Sequence, residues 1–125
     1  MHRSAALLLM ECGKNAEAGF HLARAIERSP ESMENHNDLG TLLAREGRLE
    51  DALREFERAL AIDPRSALAH NNLGRAYFAE GRTDLAIAEY REALRLQPDL
   101  QLARTNLELA LSNPVPRTIR EHGRR

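Results

Sequence analysis

The sequence predicts an all-α solenoid of tandem antiparallel helix pairs, and two observations carry that prediction. First, the chain is in register with itself every 34 residues. Gly13, Gly47 and Gly81 repeat at that spacing, as do Ala18, Ala52 and Ala86, then Ala25, Ala59 and Ala93, then Pro30, Pro64 and Pro98. His2, His36 and His70 obey it too. Second, apolar positions inside each period follow helical spacing, and glycine and proline cut the period into two helices. A single pair cannot bury its own apolar face, so such pairs stack on their neighbours. Arrays of this kind usually bind other proteins.

Taken in order, residues 1–32 read as an incomplete first repeat. Met1 falls at the third position of the pattern and Ala6 stands where glycine is expected, while Ala18, Leu22, Ala25 and Pro30 are regular. Residues 33–66 form the second repeat. Leu39, Gly40 and Leu43 make the first helical face, Gly47 breaks the chain, and Ala52, Phe56, Ala59 and Leu60 make the second face before Asp63-Pro64. Residues 67–100 form the third and clearest repeat. A helix over 67–80 carries Leu73, Gly74 and Tyr77, Gly81-Arg82 breaks it, and a helix over 83–96 carries Ala86, Tyr90, Ala93 and Leu94. Pro98 ends it, since proline cannot continue a helix and drives its predecessor out of helical geometry. Ser32 and Ser66 precede first helices and are N-cap candidates. Residues 101–113 read as a C-terminal capping helix ending near Ser112, with Leu107 and Leu111 in register. Asn113-Pro114-Val115-Pro116 stops it, and residues 114–125 are a basic tail too polar to fold alone.

Each repeated slot has a packing reason. Gly40 and Gly74 are expected where the helices of a pair cross most closely. Ala52, Ala59, Ala86 and Ala93 line the facing helix, and Phe56 and Tyr90 fill the gap toward the following unit. Replacing Ala86 with leucine is expected to overpack the crossing and cost about 1–3 kcal/mol.

Composition agrees. Hydrophobic residues make up 42% of the 125 and aromatic residues only 4%, so alanine and leucine do most of the packing. Small side chains let helices approach closely. The net charge of −1 supplies no global field for nucleic acid or membrane. Its distribution is uneven: residues 1–113 hold 14 basic and 18 acidic side chains, residues 114–125 four basic and one acidic. Arg117, Arg120, Arg124 and Arg125 give at most a weak, salt-sensitive attraction to an anionic surface. Cys12 is the lone cysteine, which excludes an intrachain disulfide. No apolar run approaches the roughly 20 residues that cross a bilayer. The stretch from Met1 to Met10 has the outline of a short signal peptide ahead of Cys12. Its apolar run is short, Glu11 sits where a lipoprotein signal carries a small residue, and helical periodicity already accounts for it. A cytoplasmic protein is expected.

The recurring slots resemble the tetratricopeptide repeat family. Its pattern is met by His70, Leu73-Gly74, Tyr77, Gly81, Ala86, Tyr90, Ala93 and Pro98, and nearly as well by His36, Leu39-Gly40, Leu43, Gly47, Ala52, Phe56, Ala59 and Pro64. Histidine replaces the usual large aromatic at the fourth slot. The resemblance implies a right-handed superhelix whose first helices line a concave groove for an extended peptide or a partner helix. It also implies which first-helix slots face that groove. These are Glu34, Asn37, Asp38, Thr41, Ala44 and Arg45 in the second repeat, and Leu68, Asn71, Asn72, Arg75, Phe78 and Ala79 in the third. The last helix contributes Leu102, Thr105, Asn106 and Leu109. Asp38, Asn72 and Asn106 share one slot, and an amide ladder there can hydrogen-bond an extended backbone. This is similar to the asparagine ladder of the O-GlcNAc transferase repeats, whose units also read Asn-Leu-Gly. Family members that clamp a C-terminal carboxylate use slots held here by Arg3, Leu7, Asp38, Leu68 and Asn72. Leucine and aspartate at three of them argue against tight binding of acidic chaperone tails. The groove is graded, polar at Glu34, Asp38, Arg45 and Arg75 and apolar at Leu68, Phe78, Leu102 and Leu109.

Other chemistry is not expected. Equivalent histidines on successive first helices lie roughly 8–10 Å apart, whereas zinc ligands must converge to about 2.0–2.1 Å from one ion. The histidines therefore read as packing residues, and neither a metal nor a cofactor is predicted. Cys12 has no activating partner identifiable from spacing. Glu50-Asp51 and Glu55-Glu57 read as a solvated helix face. The function expected is a non-enzymatic protein-interaction adaptor; the alternative is the repeat segment of a larger enzyme such as a glycosyltransferase, without its catalytic domain. The apolar character of the last helix (Leu100, Leu102, Leu107, Leu109 and Leu111) suits either a fragment or self-association.

Overall fold

A computed structural model describes residues 15–112. Among them six α-helices follow one another: α1 (Asn15–Arg28), α2 (Met33–Arg45), α3 (Leu49–Ile62), α4 (Ala67–Ala79), α5 (Thr83–Leu96) and α6 (Gln101–Ser112). The readings made at Arg3, Leu7, Cys12 and Gly13, and over 114–125, lie outside the described residues.

Local chemistry sets the helix ends. The Ser32 and Ser66 hydroxyls accept hydrogen bonds from the main-chain N–H of Asn35 and Ala69, capping α2 and α4. At the other end of α2, Gly47 adopts φ 82°. Its N–H donates to Ala44 O, and the Arg48 N–H donates to Leu43 O. Gly81 repeats this at φ 87°, with Gly81 N–H to Phe78 O and Arg82 N–H to Tyr77 O. This paired-bond ending satisfies orphan carbonyls and needs a left-handed residue, which glycine supplies without steric cost. Helices α3 and α5 start without a side-chain cap, because Arg48 and Arg82 stand at the cap positions and a guanidinium offers no acceptor. Helices α1, α3 and α5 each stop two residues before a proline, at Arg28, Ile62 and Leu96.

The chain divides into two compact units, residues 1–64 and 65–125. In the first, α1 packs on α2 through Ala18, Leu22 and Leu42, with Leu39 against them. The Asn35 amide donates to Ala25 O at 3.2 Å and ties the end of α1 to α2. Helix α2 pairs with α3, and a β-carbon at Gly40 would lie 2.5 Å from the Phe56 ring. In the second unit, α4 pairs with α5 and α6 packs against both. A β-carbon at Gly74 would lie 2.7 Å from the Tyr90 ring and 3.1 Å from Ala86 O. Ala67, Ala93 and Ala103 form one core cluster, and Ala86, Tyr90 and Ala110 another.

The expected close crossings at Gly40 and Gly74 are therefore present, and the alanines at 52, 59, 86 and 93 are fully buried. The aromatic slot does more than fill the gap toward the following unit. Phe56 and Tyr90 lie across the glycine of their own pair, where the missing side chain makes room for a ring. Tyr90 also reaches Ala110 on α6, so in the second unit one ring does both jobs. Glu55 corrects the solvated-face reading: it is 9% exposed, its Oε1 is 2.8 Å from His36 Nδ1, and its Oε2 accepts from Arg58. His36 Nε2–H donates to Pro30 O at 2.8 Å. The 34-residue equivalent recurs, with His70 Nδ1 2.7 Å from Glu89 Oε1. Each histidine therefore links the two helices of its pair through a polar contact.

Candidate peptide-binding face

Among the expected groove-facing slots of the first helices, Glu34, Asp38, Thr41, Ala44 and Arg45 are replaced in the next repeat by Leu68, Asn72, Arg75, Phe78 and Ala79, so each unit's face is built from its own side chains. In the first unit, Glu34 and Arg45 are exposed, while Asn37 and Asp38 are buried. Thr41 is half-buried, and its hydroxyl donates to Asn37 O at 3.0 Å. That bond is internal to α2, so Thr41 has already used its hydroxyl proton. Ala44 is half-buried. The slots on α2 thus present two charges at their ends and a largely occupied middle.

The second unit differs in polarity and in availability. Asn106 Nδ2 on α6 donates to Asn71 Oδ1 on α4 at 3.0 Å. This bond fixes the register of the two helices. Leu68 lies three residues before Asn71, and Leu102 four before Asn106, so both leucines sit one turn toward the helix N-termini from the amide pair. Arg75 lies four residues after Asn71 and Leu109 three after Asn106, one turn the other way. The face is layered: leucine with leucine, amide with amide, arginine with leucine.

Availability follows the layers. Leu68 is 45% exposed, Leu102 46% and Leu109 54%. Arg75 is exposed, and among the described residues no carboxylate pairs with it. Asn71, by contrast, is 0% exposed, and Asn72 is buried at 7%. Phe78 is half-buried against the Tyr90–Ala110 cluster, and Thr105 and Ala79 are exposed. Burial of the Tyr90 phenol pushes its pKa up to about 12, and the nearby Arg75 charge pulls it back in part. Of the three residues expected to form a ladder at one slot, Asp38 and Asn72 are buried, and Asn106 instead meets Asn71, in a neighbouring slot of the preceding first helix.

Three features escaped sequence reading. Asn35 anchors α1, Asn71 holds Asn106, and Glu55 and Glu89 partner the histidines. The last pair did carry a signal, since Glu55 and Glu89 are themselves 34 apart and each lies 19 after its histidine. Among the described residues no group of three or more His, Cys, Asp or Glu is placed to hold a metal ion, and no helix is long and apolar enough to cross a membrane.

Comparison with known proteins adds an independent line. The chain matches the tetratricopeptide repeat family over residues 3–66 and 37–100. No curated protein matches it. Among solved structures, a mutant O-GlcNAc transferase of Thermobaculum terrenum is similar at 30% identity with a TM-score of 0.84, over 88% of this chain and 21% of that one. YrrB, described as a TPR protein with an unusual peptide-binding site, is similar at 29% identity with a TM-score of 0.80, over 86% of this chain and 56% of that one. The first TPR of Spaghetti (RPAP3), bound to an HSP90 peptide, shares the fold at 19% identity with a TM-score of 0.83, over 89% and 88% of the two chains. The present chain thus spans about one fifth of the transferase and just over half of YrrB.

Proposed function

The chain belongs to the tetratricopeptide repeat family, and from that premise we propose that it is a protein-interaction module holding a peptide segment on its first-helix faces. The observation that carries this is the layered face on α4 and α6. Three large leucine side chains and one arginine without a carboxylate partner stand exposed around an amide pair of which Asn71 is buried and Asn106 half-buried. Burial of apolar anchors with a few placed polar groups is how such surfaces gain affinity and register. YrrB, at 29% identity, is described by its peptide-binding site, which supports the same use here. In the first unit, Asn37, Asp38, Thr41 and Arg45 form a more polar face of its own; in the second, Asn72 and Phe78 support the face on α4 and α6. The chemistry is recognition, with no catalytic role for any of these side chains, and the reading places the protein in the cytoplasm.

A second reading, as the repeat segment of a larger enzyme, rests on the 30% identity to the transferase over 88% of this chain. In it the repeats present substrates to a catalytic domain. The exposed Leu102, Leu109 and Leu111 on α6 also support self-association. Affinity capture with the wild-type chain, Asn72→Ala and Leu109→Asp tests the main reading. Captured partners should drop away with Leu109→Asp, and equal capture by all three removes this face from consideration. Light scattering separates monomer from dimer.

A further inference from the structure

The face on α4 and α6 carries more information than its exposure. We propose that it reads an extended, polyproline-like peptide in which a bulky apolar residue and an acidic residue stand three positions apart. This deepens the peptide-binding reading above and rests on it.

Charge comes first. Among the slots assigned to this face on α4 and α6, Arg75 is the single formal charge. It is exposed and has no carboxylate partner among the described residues. A guanidinium that shares its layer with an apolar side chain such as Leu109 binds a carboxylate more strongly than one in open water, because the flanking side chain lowers the local dielectric. The complementary ligand is acidic at that layer and apolar two layers away, at Leu68 and Leu102 beyond the amide pair.

Spacing comes second. Leu68 and Arg75 are seven residues apart on α4, and Leu102 and Leu109 seven apart on α6. At ~1.5 Å per residue, the leucine layer and the arginine layer are about 10.5 Å apart. In a polyproline helix, residues i and i+3 point the same way about 9.3 Å apart. A β-strand offers same-side spacings of about 6.8 Å and 13.6 Å, which straddle the distance without meeting it. A partner α-helix also meets the spacing, at i and i+7.

The amide pair decides between these two. Asn106 spends one N–H on Asn71 and keeps its carbonyl oxygen and second N–H. Those groups pair with an unsatisfied backbone. A polyproline segment has no internal hydrogen bonds and offers one, whereas an α-helix has already used its own. Asn71, fully buried, acts as the positioning residue that orients Asn106.

The test is selection from a random nonapeptide library displayed on phage, against the full chain and against Arg75→Glu and Leu102→Asp, each checked for folding by circular dichroism. Enriched peptides should carry Asp or Glu three positions from a large apolar residue, in either order. Arg75→Glu should replace the acid with Lys or Arg at the same spacing, and synthetic winners should bind it at least tenfold more weakly than the wild type. Leu102→Asp should abolish the apolar preference. A spacing of seven, or the same enrichment on Arg75→Glu, overturns the proposal while leaving the peptide-binding reading intact. Failure to enrich any peptide overturns both.

Discussion

The hairpins α2–α3 and α4–α5 are built on one plan and carry different faces. Both have a serine cap, a left-handed glycine, a glycine under an aromatic ring, and a histidine paired with a glutamate nineteen residues on. Yet Glu34 becomes Leu68, Asp38 becomes Asn72, Thr41 becomes Arg75 and Arg45 becomes Ala79. The slots that repeat hold helices together. These four varied slots are among the expected groove-facing positions of the first helices; other varied slots lie in the core, as where Leu42 becomes Ala76, or on the second helices, as where Glu57 becomes Arg91. At the four first-helix slots the divergence makes one face polar and the other apolar around a single cation.

If the framework is shared, its damage should be shared. Phe56→Ala and Tyr90→Ala each remove a buried ring and should cost about 3–5 kcal/mol by chemical denaturation. A loss below 1 kcal/mol at either position would mean that the two rings are not equivalent. The next effect separates the hairpins. Gly40→Ala meets only ring atoms, while Gly74→Ala also meets the main-chain oxygen of Ala86. Both should fall in the overpacking range of about 1–3 kcal/mol, with Gly74→Ala the larger. Equal melting temperatures for the two variants would contradict this ordering.

Alkaline titration distinguishes the hairpins without a change of volume. Burial raises the Tyr90 pKa from 10.0 to about 12 in the folded state. Unfolding then releases a proton at high pH, so the stability present below pH 10 is lost as the pH rises toward about 12. Tyr90→Phe should remove that part of the alkaline loss. Smaller again are Gly47→Ala and Gly81→Ala, which force a β-carbon into positive φ and should each cost about 1 kcal/mol. Arg75→Glu and Leu109→Asp should change stability by no more than about 0.5 kcal/mol, because both side chains are exposed.

The framework was legible in the sequence because its causes are local or periodic. A serine before a helix, a glycine after one and a proline two residues beyond act on their immediate neighbours, and the expected bounds over 83–96 coincide with α5. Gly40 and Gly74 were legible because a repeated glycine inside a helix demands a close approach. Partnerships across a pair were harder. Glu55 sits among charged residues on an otherwise solvated helix, and nothing in its own segment distinguishes it from Glu57. Only the fold brings it to His36. Asn71 failed for a related reason. Its slot reads as groove-facing, but α6 covers it, and its amide is turned to Asn106. The rings' place over the glycine of their own pair was not legible, because helix spacing gives a face and a direction without saying which neighbours fill the space.

The central claim is that recognition belongs to the varied slots of α4 and α6. Backbone amide chemical shifts of the full chain, followed while a library-selected peptide is added, test it most directly. The largest changes should fall at Leu68, Arg75, Leu102, Asn106 and Leu109, with the exposed residues of α5 such as Arg91 and Arg95 little moved. Changes concentrated on α5, with those five amides unmoved, would contradict the account.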